Sequence, residues 1–299
     1  AWVVSVMLPP MAVFFPLFTL LEDSGYLPRI AYNLDRPFQC CKACGKQALT
    51  MAMGFGCNAA GITGCRIIDS PRERLIAMIT NSFVPCNGRL PLFITLILLF
   101  LCSSQQNAAS YAVSALILTL FILLGIAMTF LSSYLLSATV LRGVSSSFTL
   151  EMPPYRRPQI GKVILRSVTD RTLFVLGRAA AVAAPAGLIL WLLANVSPGG
   201  ISLLSRISLI LDPLGRLLGM DGVILTAFIL GLPANEIVLP IILMAYTAQG
   251  NLMGYASTLQ LKQILTANGW TWATAVCVML FSLMHWPCST TLITIYKET

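Results

Sequence analysis

The hydrophobic positions of this chain fall into long runs rather than into the alternating pattern of half-buried strands. Trp2 to Leu21, Leu90 to Cys102, Tyr111 to Leu141 and Ala179 to Val196 carry no charge. Gly222 to Ala248 contains one acid, Glu236, and Gly269 to Ile295 one histidine, His285. A spanning helix needs about 20 mostly apolar residues, so the pattern predicts an all-α, polytopic membrane protein with about six to eight membrane segments. Gly45 to Cys65 is rich in glycine and is expected to be short or re-entrant.

Composition narrows this reading. Of 299 residues, 57% are apolar and 10% charged, with a mean hydropathy of +0.82. A soluble domain carries about 25% charged residues, so the composition does not read as a water-soluble globule. The net charge of +8 is concentrated: Arg142, Arg156, Arg157, Lys162, Arg166, Arg171 and Arg178 fall in one connection, opposed by Glu151 and Asp170. Cytoplasmic loops hold such an excess, so the charge reads as topology and not as a nucleic-acid footprint. The connection 142–178 is then cytoplasmic, Ser103 to Ser110 lies outside, and Arg66 to Arg74 is cytoplasmic. Asp23 to Lys46 shares the cytoplasmic side only if Gly45 to Cys65 re-enters. The first segment lacks a basic leader and a small-residue cleavage site, so no signal peptide is expected. Ala1 and Lys297-Glu298-Thr299 directly abut apolar segments, which predicts a longer parent chain.

The interruptions carry the chemistry. Met53 to Gly61 places three glycines and Cys57-Asn58 where a plain helix would hold Leu and Val, and Val84 to Pro91 holds two prolines, Cys86, Asn87 and Arg89. Proline breaks a helix, and irregular backbone at membrane depth is tolerated only inside protein or along a polar cavity. Gly231 to Pro240 repeats the first pattern: Gly, a breaker two residues on, and Asn two further. His285-Trp286-Pro287-Cys288 echoes Pro85-Cys86. Paired interrupted segments point to a transporter's midplane site. Two repeats are therefore expected, 1–141 and 172–299, joined by a basic interfacial connection, 142–171.

The stretch Pro16 to Arg29, Asp35-Arg36, Gly54 to Asn58, Pro85-Cys86 with Arg89-Leu90-Pro91, Pro233 to Glu236 and Pro287 to Thr291 resembles, in this order, the membrane region of the FeoB family of bacterial ferrous-iron transporters. The resemblance covers essentially the whole chain. It implies two "gate" repeats, multi-pass insertion in the bacterial inner membrane and Fe2+ uptake, Fe2+ being the cargo, with no enzyme activity in this chain. It also implies a GTPase domain acting in cis or in trans, and it leaves room for a small cytoplasmic accessory protein and a homo-oligomer. Gly45-Lys46-Gln47 is no P-loop, so no GTP site is expected here.

Thiolate, carboxylate and amide oxygen suit a borderline divalent ion. The candidate metal ligands are Cys57, Cys86 and Cys288 with Glu236, assisted by Asn58 and Asn235. An acid inside a membrane segment is a functional candidate by default, although Glu236 could instead form a structural pair with Arg89. The asparagines could equally bond backbone groups freed at the breaks. Cys65, Cys102 and Cys277 read as core residues and His285 as a helix-end residue. Cys40, Cys41 and Cys44 have half the spacing of a zinc site and no second pair. The alternatives are a permease for another divalent metal or a nucleoside-like solute, and a membrane thiol redox sensor built on those three cysteines.

Overall fold

A computed structural model describes residues 2–102, 108–143, 161, 174–197, 202–247 and 258–299. The connection carrying Arg156 to Arg171, and most of Ser103 to Ser110, therefore lie outside the described residues. Among the described residues the protein is helical, with no strand. It divides into two compact units interleaved along the chain: residues 1–87, 122–178 and 285–299 form one, and 88–121 and 179–284 the other.

In chain order, α1 is Trp2–Asp23, α2 Tyr26–Cys40, α3 Lys46–Gly56, α4 Asn58–Gly64, α5 Pro71–Thr80, α6 Leu90–Leu96 and α7 Ala108–Ala138. The series continues with α8 (Phe174–Asn195), α9 (Leu203–Leu217), α10 (Gly222–Leu230), α11 (Val238–Thr247), α12 (Thr258–Ala267), α13 (Trp272–Met284) and α14 (Ser289–Glu298). Among the described residues, Ala109–Ala138 and Trp272–Glu298 qualify as spans by length and apolarity. The pair α9 and α10 adds a third only if its 108° bend is ignored. Shorter apolar helices among the described residues are Leu90–Leu101, Ala180–Asn195 and Asn235–Thr247.

Those breaks make hairpins. With 11 residues α3 is about 16 Å long, half the hydrocarbon thickness. The chain then returns through α4, and Lys46 at the start of α3 pairs with Asp69 beyond the end of α4 at 2.5 Å. Entry and exit of the Gly45 to Cys65 hairpin thus lie together. In the other unit, Tyr246 near the end of α11 donates to Asp221, the N-cap of α10, and Trp270 Nε1 donates to Tyr246 at 2.8 Å. This hairpin also closes on itself. Single cysteines introduced as Lys46→Cys and Asp69→Cys should react with a membrane-impermeant maleimide from one and the same face. Labelling from opposite faces would contradict re-entry.

The two hairpins share their backbone, at one constant spacing along the sequence. α2 and α9 are both 15-residue amphipathic helices. Leu27, Arg29, Ile30, Leu34 and Asp35 recur as Leu204, Arg206, Ile207, Leu211 and Asp212. Each helix ends in a left-handed residue, Lys42 (φ 56°) or Gly219 (φ 74°). The next amide bonds back into the helix, from Ala43 to the Phe38 carbonyl and from Met220 to that of Gly215. Asp35 then accepts from the Gly45 amide at 2.7 Å and Asp212 from the Gly222 amide at 3.1 Å. Both glycines let the amphipathic helix touch the hairpin. A Cβ on Gly45 would stand 2.6 Å from the Ala31 carbonyl oxygen, and one on Gly222 1.9 Å from that of Ser208. The hairpin helix breaks at the same place in each: Cys57 (φ −154°, ψ 122°) corresponds to Ala234 (φ −156°, ψ 122°), each followed by an asparagine.

Candidate functional site

In the first unit the chain must leave α3 at Cys57, whose extended backbone cannot continue a helix. Its amide still closes the last turn on Met53 at 3.0 Å. The buried Cys57 Sγ faces the amides of Ala59 and Ala60, donors that a new helix leaves without internal partners. The same design recurs at Cys288, the N-cap of α14, whose carbonyl accepts from Thr291 and Leu292 at 2.9 and 3.0 Å and whose Sγ lies 3.2 Å from Thr291 Oγ1. Helices α4 and α14 pack against each other. Cys86 is buried in the irregular stretch before α6. Cys57, Cys86 and Cys288, three of the sequence-predicted ligands, all belong to this unit.

Asn58 is also buried here. Its amide nitrogen, oriented to suit its neighbours, donates to the carbonyls of Gly54 at 3.1 Å and Val84 at 3.3 Å. It therefore bonds backbone freed at both breaks. Sequence reasoning missed Asn81, 1% exposed, whose Nδ2 donates to the Asn58 carbonyl at 3.2 Å. It also missed a buried polar contact in which Gln47 of α3 donates to Thr80 Oγ1 at 2.9 Å and to Ser133 Oγ of α7 at 3.3 Å.

Glu236 and Asn235 belong to the second unit, in the short turn Asn235–Ile237 that precedes α11. Asn235 is buried, and Glu236 Oε1 is buried without a hydrogen-bond partner among the described residues. In the shared register Glu236 stands where the first hairpin has Ala59, and Ala234 where it has Cys57. One break thus carries a thiol and the other a carboxylate. Arg89, fully buried, donates to the Leu283 carbonyl at 3.3 Å and so ties the start of α6 to the end of α13. His285 packs edge-on against Trp286. Among the described residues no group of three or more His, Cys, Asp or Glu is close enough to hold a metal ion.

The gate family model, described as nucleoside recognition, matches residues 4–100 and 176–299, and the model of the ferrous iron transport protein B C terminus matches 118–170. The chain belongs to the gate family, as a FeoB-type membrane region. Similar relatives are the "Fe(2+) transporter FeoB" of Staphylococcus aureus (strain COL), 31% identical over 306 residues, and that of Methanocaldococcus jannaschii, 28% over 310. Each alignment covers 99% of this chain and 43% of the relative. The protein of the same name from Legionella pneumophila (strain Philadelphia 1) is 33% identical over 193 residues, covering 64% of this chain and 24% of the relative. The chain thus spans less than half the length of the curated relatives it matches. No solved structure matches it.

The remaining cysteines of this gate protein have other surroundings. Cys65 is buried among Ile62, Ile68, Ala77 and Met78 and contacts the Gly61 carbonyl at 3.4 Å. Cys102 meets Ser114 Oγ at 2.8 Å, and Cys277 fills the space beside Gly219. At the turn between α2 and α3, Cys40 is exposed, Cys41 half-buried and Cys44 buried, all as free thiols. Burial pushes the Cys44 thiol up to about 11; the Lys46 amide opposes that rise, and the nearby Glu73 and Asp35 charges add to it. Burial, then the neighbouring Cys40, also raises Cys41.

Proposed function

We infer that this chain is the permease part of an Fe2+ uptake system. The observation that carries the reading is the pair of matched hairpin breaks, one holding Cys57 in the same unit as Cys86 and Cys288, the other holding Glu236 with a buried carboxylate oxygen that has no hydrogen-bond partner among the described residues. The thiols and Glu236 act as transient Fe2+ ligands, assisted by Asn58 and Asn235. Raw affinity favours copper and zinc over Fe2+, so geometry and availability set the selectivity. An open ligand set also lets the ion go, which a full thiolate cage would not. The relatives' name, "Fe(2+) transporter FeoB", supports this substrate.

The two repeats, 1–141 and 172–299, flank the basic connection 142–171. Counting crossings from a cytoplasmic connection, α1, the broken pair α5 and α6, α7, α8 and the broken pair α13 and α14 traverse a bacterial inner membrane. This count is supported by Arg72, at the start of α5, bonding Ser137 and the Leu141 carbonyl after α7, and by Arg66 pairing with Glu298 at 2.7 Å. A GTPase domain in cis or in trans supplies any nucleotide chemistry. A small cytoplasmic protein and further copies of the chain are the other partners.

The gate model's own description favours a second reading, a carrier of nucleoside-like solutes. Competition separates the two. Uptake of radioactive Fe2+ under reducing conditions should fall with excess unlabelled Fe2+, less with Mn2+, Co2+ or Zn2+, and remain unchanged with nucleosides.

A further inference from the structure

Three hydrogen bonds close a ring between the two breaks of the first unit. Asn81 Nδ2 donates to the Asn58 carbonyl at 3.2 Å, the Asn58 amide nitrogen donates to the Val84 carbonyl at 3.3 Å, and the Val84 amide donates to the Asn81 carbonyl at 3.2 Å. Cys57 directly precedes Asn58, and Cys86 follows Val84 by two residues. We propose that Asn81 is a positioning residue that fixes the spacing of the Cys57 and Cys86 thiols and thereby sets metal preference. This rests on the reading of those thiols as Fe2+ ligands.

The hairpin is built around Asn81. A Cβ on Gly54 would stand 2.7 Å from Asn81 Oδ1, and one on Gly61 2.7 Å from its Nδ2. Any larger residue at either glycine would push the amide out of its slot. Asn81 is 1% exposed and Asn58 2% exposed, so water does not replace a lost bond, and a buried group left unpaired costs more than the bond itself contributes. A site that cannot rely on raw affinity must hold its donors at set distances. Asn81 supplies that restraint without touching the ion.

The test uses the protein in its native gene context, with every cysteine except Cys57 and Cys86 replaced, and measures the rate of cross-linking by a short bifunctional thiol reagent in membranes. Asn81→Asp keeps the shape and removes the donor. Asn81→Ser removes its reach without adding charge and carries the test should the aspartate fail to insert. Losing one buried hydrogen bond should slow cross-linking about fivefold to tenfold. In the otherwise unmodified protein, the same substitutions should narrow the Fe2+-over-Zn2+ preference of uptake by a similar factor. Native cross-linking in both variants, or slowed cross-linking with an unchanged metal preference, would overturn the proposal. Full uptake in Cys57→Ser and Cys86→Ser would remove the thiol-ligand reading instead, and would leave the cross-linking rates as they are.

Discussion

Iron uptake by cells carrying Cys57→Ser, Cys86→Ser or Cys288→Ser should fall about tenfold or more, the range seen when a metal site loses a group that orients or binds the ion. The three thiols belong to one compact unit, and Cys86 lies in the irregular stretch before α6. Cys57 and Cys288 each sit at the start of a helix, and α4 and α14 pack side by side. Serine keeps each side chain small and able to hydrogen-bond, so insertion should survive while the soft donor is lost. Glu236→Gln should lower uptake to a similar degree. It preserves shape and removes the charge that makes an acid inside a membrane segment so costly to retain. Cys65→Ser is the control: its thiol lies among Ile62, Ile68, Ala77 and Met78, away from any break, and uptake should persist. Full uptake in all three thiol variants and in Glu236→Gln, with normal insertion, would sink the ligand assignment.

Gly222→Ala should produce the largest loss of stability. Its Cβ would sit 1.9 Å from the Ser208 carbonyl oxygen and 2.7 Å from the Asp212 amide nitrogen, both backbone atoms of α9. Backbone cannot swing aside as a side chain can, so α9 must separate from α10, which breaks the Gly222 to Asp212 hydrogen bond. Overpacking of this kind costs on the order of 3 kcal/mol. Gly45→Ala should act in the same direction but more weakly, since its closest contact is 2.6 Å. Gly187→Ala, with open space around it, should be neutral. Thermal unfolding of the detergent-solubilised protein measures the order. Equal melting temperatures for Gly222→Ala and Gly187→Ala would contradict the close helix contact.

The matched glycines also show how far the sequence alone could be read. Gly54 to Asn58 and Gly231 to Asn235 declare themselves because glycine and proline interrupt apolar runs, and the structure breaks both helices there. Within the expected repeats, the residue-by-residue match of α2 with α9 is what pattern reading did not reveal. Arg29, Asp35 and Arg36 make α2 resemble a polar connection, and its identity with α9 rests on scattered positions such as Asp35 and Asp212. Charge alone suggests re-entry for Gly45 to Cys65, but the contacts that close the two hairpins, Lys46 to Asp69 and Tyr246 to Asp221, join residues more than twenty positions apart. Asn81 escaped notice because nothing beside it marks a break. Its role depends on Gly54, Gly61 and Asn58 converging on it from another helix pair. The thiols were legible by motif, whereas the division of thiol and carboxylate between equivalent breaks needed the shared register of Cys57 with Ala234.

Fe2+ flux into proteoliposomes containing the purified protein, with any natural GTPase partner and nucleotide supplied and reductant present throughout, is the most direct measurement of permeation. Saturable Fe2+ accumulation that nucleosides leave untouched, and that Cys57→Ser abolishes, is the expected result. Accumulation no greater than in empty vesicles, or uptake of a labelled nucleoside in place of Fe2+, would contradict it.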